Sequence, residues 1–210
     1  MINLKIKRDR LLDIIDKNKV LYSHSNKKEQ LIISSSLLNI IWNSWSDFWR
    51  NYWIVYITGG ISISESKIIG LHPEFDSCQA CAFVNQFKRH PITTRYRHAD
   101  TIPYYGEPNW GDPTTIINIA SGLISQITDC NYLVSFISIY KIELEEFQKI
   151  RNTFIHLNKN TIKQLQNMQR NFIFTADQSI IDILDAKRIG NPNICFYSML
   201  DNMSGLLNNL

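Results

Sequence analysis

Arg151, Asn152 and His156 fall within one short segment, Ile150-Arg151-Asn152-Thr153-Phe154-Ile155-His156. On a helix, Asn152 and His156 stand at i and i+4 and share a face. Arg151 lies one step, about 100°, around the axis from Asn152. All three can therefore reach a common cleft. Imidazole, with a free pKa near ~6.5, suits proton transfer close to neutral pH. The planar guanidinium fork matches phosphate oxygens and can stabilise charge that develops on them. A carboxamide between the two can orient either group. These residue types suit metal-free cleavage of an RNA phosphodiester, where a proton leaves the 2′-hydroxyl or reaches the leaving oxygen. The plainer alternative is an exposed arginine and a histidine that closes the helix end near Asn158.

The wider run Glu145-Glu146-Phe147-Gln148-Lys149-Ile150-Arg151-Asn152-Thr153-Phe154-Ile155-His156 resembles the signature of the HEPN superfamily. That signature is an Arg, a polar residue that is often Asn, three further residues and a His, near the end of a core helix. The likeness covers mainly residues 130 to 175. It implies an all-α, HEPN-like helical bundle and an RNA substrate. It also implies a homodimer, with two motifs facing each other across a two-fold axis, because one copy supplies one Arg and one His. Small prokaryotic members act as toxins or antiviral-defence effectors, which implies an antitoxin or regulatory partner protein. No cofactor is expected and no metal. Some HEPN toxins carry a Tyr two residues after the His, where a partner enzyme modifies it. Here that position is Asn158, so regulation by that route is not expected. A rival expectation is a catalytically silent HEPN-like scaffold that binds a partner protein or nucleic acid.

Other segments carry weaker chemistry. Lys88, Arg89, Arg95 and Arg97 make residues 88–98 locally basic, and Tyr104, Tyr105 and Trp110 follow. Cations interleaved with aromatics can hold an RNA strand by phosphate contact and stacking. These four cations are the candidate substrate-binding residues; the alternative is a solvated loop whose aromatics pack inward. Cys78-Gln79-Ala80-Cys81, with His72 and His90 nearby, looks like half a zinc site. No second closely spaced pair follows, so it reads as two helix cysteines. Glu143, Glu145 and Glu146 could hold a metal but read as a solvated helical face.

Helices must position these groups. The 210-residue chain has only 8 Gly and 6 Pro, which favours long helices. It reads as one domain over residues 1–210, with a basic lead-in at 1–28. A helix is expected near Arg8–Lys17 and a long one over Glu29–Thr58. On the latter, Leu38, Ile41, Trp42, Trp45, Trp49 and Trp53 recur every three or four residues as a buried stripe ending at Gly59-Gly60. A short helix is expected from Ser62 to Ile69 and another over Asp76–Arg89. His90 to Pro113 holds four of the prolines and reads as a long loop or insertion. Asp112-Pro113 should open a helix to about Ile127. The run from Tyr132 is β-branched and aromatic, but the glutamates beyond it favour a helix to Asn158. Helices over Thr161–Phe174 and Ser179–Arg188, a turn at Gly190-Asn191-Pro192 and a last short helix complete the reading.

The formal net charge is +3 and charged residues are 20%, an ordinary balance that permits an RNA partner without requiring one. No secretory segment and no confident membrane span are visible. Four cysteines without a secreted framework make the cytoplasm the expected compartment.

Overall fold

The computed structural model describes residues 1–88 and 107–210. Its described residues form seven α-helices and two small two-stranded sheets, so the fold is mostly α. The chain folds into two compact units. One comprises Met1–Asp13, Asn43–Lys141 and Leu210; the other comprises Ile14–Trp42 and Ile142–Asn209.

Helix α1 (Leu4–His24) extends beyond the Arg8–Lys17 core of the sequence reading at both ends. The Asn3 side chain accepts from the Ile6 N–H at its start. Helix α2 (Lys27–Thr58) begins at Asn26, whose side chain accepts from the Lys28 and Glu29 N–H groups while Glu29 accepts from the Asn26 N–H. That reciprocal cap explains why the chain breaks between two helices without Gly or Pro.

The first unit is built on the later half of α2. Trp45, Trp49 and Trp53 are fully buried there, as are Val55 and Ile57. The same unit contains α3 (Ser77–Asn85), α4 (Pro113–Leu123) and the first half of α5 (Asp129–Ile155). Asp76 caps α3 through Cys78 and Gln79, and Asp112 caps α4 through Thr115, with Pro113 in its first turn.

The stretch after Gly60 corrects the sequence expectation. Residues 60–68 form a hairpin, β1 (Gly60–Ile61) antiparallel to β2 (Lys67–Ile68), not a short helix. The Ser62 hydroxyl does not cap a helix; it accepts from the Ser66 N–H across a tight turn in which Glu65 has φ 64°. Gly59 has φ +92°, a conformation that glycine adopts without strain.

The second unit gathers the first half of α2, the end of α5, α6 (Lys159–Met168) and α7 (Cys195–Asn208). Leu38, Ile41, Trp42, Phe147, Ile150, Phe196 and Leu200 are in its core. Two helical expectations shorten here. Helix α6 stops at Met168, a 3-10 turn follows over Gln169–Asn171, and β3 (Phe172–Ile173) pairs with β4 (Lys187–Arg188). Ser179 and Asp182 cap each other, but only a 3-10 turn, Ile180–Leu184, follows Ser179. Pairing with β3 takes the residues after it out of the helix. Among the described residues no helix is long and apolar enough to cross a membrane.

The far end of the expected 90–113 loop is anchored within the first unit. Arg50 grips Glu107 bidentately at 2.7 and 2.8 Å, Trp110 donates to the same carboxylate at 2.7 Å, and Trp45 donates to the Gly111 carbonyl at 3.0 Å. Burial alone would raise the Glu107 carboxyl. The hydrogen bonds from Arg50 and Trp110 outweigh it and hold the group below its ordinary value. A carboxylate depressed in the fold contributes stability above its unfolded pKa and loses it as pH falls through the folded one. Glu107→Gln should therefore cost stability at neutral pH and flatten the acid limb of a urea-midpoint-versus-pH curve. An unchanged acid limb would show that this clamp does not anchor the segment.

Candidate functional site

Arg151, Asn152 and His156 sit at the C-terminal end of α5 in the second unit. Phe147, Ile150 and Thr153 are buried on the inner side of the helix, while Arg151 and Asn152 are partly exposed and His156 is exposed. Arg151 is half-buried. Its Nη1 donates to the Asn152 side-chain oxygen at 3.0 Å, and its Nη2 donates to the Asn39 side-chain oxygen on α2. Its Nε lies buried without an acceptor. Among the described residues no carboxylate pairs with it. Burial accordingly pulls the Arg151 guanidinium below its ordinary pKa, though an arginine stays charged at any working pH.

His156 follows the last helical residue and is exposed. Its main chain is firmly tied. Its N–H donates to the Asn152 carbonyl at 2.8 Å, so the helical turn carries through to it. Its carbonyl accepts from Asn158 Nδ2 at 2.9 Å and Thr161 Oγ1 at 2.8 Å. Asn158 and Thr161 form the reciprocal cap of α6. Asn158 thus has a structural duty here. Among the described residues the His156 ring itself has no hydrogen-bond partner, so its nitrogens are open to a ligand. The structure brings Arg151 and Asn152 into direct contact and sets His156 one turn beyond Asn152.

Asn39 is the residue that the sequence reading missed. It lies 112 positions from Arg151, and nothing in its local sequence marks it. It is one more polar position on a long helix, and only the packing of α2 beside α5 in this unit brings it to the guanidinium.

The other candidates fall out differently. The Glu143–Glu146 group is not a solvated face: Glu146 is 4% exposed. It accepts from Arg188 Nε at 3.0 Å and Asn171 Nδ2 at 2.8 Å, and Glu143 lies 3.6 Å from the same guanidinium. These oxygens are spent on holding β3 and β4 to α5. Cys78 is exposed and Cys81 buried. Burial pushes the Cys81 thiol up to about 12 despite nearby Arg50. Among the described residues no group of three His, Cys, Asp or Glu side chains is placed to hold a metal ion. Lys88 is half-exposed beyond α3, with its carbonyl accepting from Asn118. Arg89, Arg95, Arg97, Tyr104 and Tyr105 lie outside the described residues. Trp110 is buried, with its indole N–H on Glu107, so it faces the core and offers no stacking surface.

No protein-family model, curated protein or solved structure matches this chain. The site therefore stands on its own geometry.

A structural arginine and a ligand-binding one differ in what their removal does to the fold. Arg151→Met should leave stability in urea within about 1 kcal/mol of the parent or raise it, since an uncompensated, partly buried charge is lost. Glu146→Ala, which strands Arg188, should cost about 2–3 kcal/mol. A large loss in Arg151→Met would show that its bonds to Asn39 and Asn152 are structural.

Proposed function

We propose that the chain is a metal-independent endoribonuclease of the HEPN type. The observation that carries this reading is Arg151: a half-buried cation held in place by two carboxamide oxygens and paired with no carboxylate among the described residues. Holding a guanidinium this way costs desolvation without the return of an ion pair. A bound phosphate would supply the missing charge.

Arg151 binds the scissile phosphate and stabilises the charge that accumulates on its non-bridging oxygens in the transition state. Asn152 fixes the guanidinium plane. His156, exposed one turn away, acts as general acid or base. The 2′-oxygen loses its proton and attacks phosphorus. The P–O bond to the 5′-oxygen breaks, and that oxygen takes up a proton. One imidazole serves one of these transfers. A homodimer with its motifs facing each other supplies a second His and a second Arg, since a two-fold interface repeats each residue. Resemblance to the toxins and antiviral-defence effectors of that superfamily points to the same role, under an antitoxin or other regulatory partner protein. The Glu143–Glu146 carboxylates, engaged by Arg188 and Asn171, favour this metal-free route over a carboxylate-bound metal.

Purified protein incubated with total RNA or tRNA in excess EDTA should cleave it. Arg151→Ala and His156→Ala should each slow cleavage by about 10²–10³-fold with the circular dichroism unchanged. Cleavage that survives both substitutions would remove the site assignment. Cleavage abolished by EDTA would remove the metal-independent mechanism. Absence of cleavage with and without a partner protein would leave the scaffold reading in its place.

A further inference from the structure

A cleft of about 220 Å³ opens in the first unit. Tyr52 and Tyr56 from α2 line it, with Ser62 and Ser64 from the β1–β2 turn and Asp129 and Tyr132 from the start of α5. None of these residues belongs to the Arg151 site.

Tyr56 donates to Asp129 Oδ2 at 2.6 Å. Burial, reinforced at Tyr56 by the bond to Asp129, lifts the Tyr52 and Tyr56 phenols well above their ordinary value. The Tyr56 phenolic proton is thus committed to Asp129. Ser62 is likewise engaged, accepting from the Ser66 N–H and sharing a hydrogen bond with Ser64 at 2.9 Å. What the cleft presents around Asp129 is tyrosine ring faces and a carboxylate. Asp129 is exposed, and among the described residues its Oδ1 has no partner and no cationic side chain pairs with it. The Tyr52 and Tyr56 rings lie 4.8 Å apart at a 32° tilt. Tyr132, backed by a stacked Phe136 ring at 5.3 Å, lines the cleft from α5.

A ligand that complements such a surface carries positive charge, donates hydrogen bonds and has an apolar body. Aromatic faces attract cations through their quadrupoles, and a carboxylate accepts from an ammonium as a charge-assisted bond. Space for roughly seven water-sized groups, at about 30 Å³ each, sets the scale of the ligand. We propose that this cleft binds a small alkylammonium ion, with its nitrogen on Asp129 Oδ1 and its methylenes against the tyrosine rings. The site is independent of the ribonuclease reading and requires nothing of Arg151 or His156.

Calorimetric titration with n-butylammonium and with putrescine, at constant ionic strength, tests this directly. 1-Butanol serves as the uncharged control. Saturable binding with a Kd of roughly 0.1–1 mM is expected for the amines, and none for the alcohol. Asp129→Asn retains an oxygen to accept from Tyr56, so the fold and that hydrogen bond survive. It should weaken amine binding at least about tenfold. Tyr132→Ala, at a partly exposed position, should weaken it severalfold. Equal binding of amine and alcohol would overturn the proposal in favour of a merely apolar cleft. Binding undiminished in folded Asp129→Asn, or no heat of binding at about tenfold above that Kd range, would overturn it outright.

Discussion

The indole-lined face of α2 is the constraint on which the rest of the molecule depends. Trp42, Trp45, Trp49 and Trp53 recur along one side of a 32-residue helix and are all buried. Side chains of this size dominate a core wherever they are placed. In the first unit, Trp45, Trp49 and Trp53 are fully buried, and α3, α4 and the start of α5 belong to the same unit. In the second, Trp42 packs against Phe147 with ring centroids 5.7 Å apart. The polar contacts that matter are consequences of that packing. Arg50 meets Glu107, Tyr56 meets Asp129 and Asn39 meets Arg151 because each stands on α2 beside the buried stripe. Each is bonded to a residue far away in sequence.

What could be read in the sequence was what local physics decides. The period of the tryptophans gave α2 and its end at Gly59. Asp76 and Asp112-Pro113 marked the starts of α3 and α4, because a capping side chain acts within three residues of itself. The helix through Tyr132–Tyr140 outweighed its β-branched composition, since the run continues into good helix formers. The failures have different causes. Residues 62–69 have a capping-box pattern, yet the Ser62 hydroxyl serves a β-turn instead. Residues 172–173 and 187–188 carry helical neighbours but pair as strands. The β3–β4 outcome hangs on a backbone partner elsewhere in the chain, whereas the hairpin is closed by a local tight turn that the capping pattern does not mark.

The same division runs through the candidate site. Arg151, Asn152 and His156 lie within six positions of one another, so their common end of α5 was legible. Asn39 was not, because its role is created by tertiary packing. The glutamates before the motif looked like a solvated face, and their true partners, Arg188 and Asn171, arrive through the β3–β4 pairing. Once those partners are in place, the carboxylates hold the fold together, and the arginine a few residues further on is left without one.

That contrast among arginines is the strongest physical argument for the phosphate site proposed at Arg151. Arg50 and Arg188 are both partly buried and both grip a nearly buried glutamate, with side-chain exposures of 7% for Glu107 and 5% for Glu146. Their pKa values are raised, as expected for a cation that the fold welcomes. Arg151 is partly buried too, but its partners are two neutral oxygens, and its pKa moves the other way. A chain that builds two arginine–carboxylate clamps can compensate a buried charge. At Arg151 it fixes the guanidinium in space with carboxamides and adds no negative charge. Carboxamides orient a fork without neutralising it, which leaves the full attraction of the cation for an anion from outside. A phosphate that occupies that position meets a donor whose desolvation and orientation costs were met during folding, and such preorganisation is what transition-state stabilisation of a phosphodiester requires.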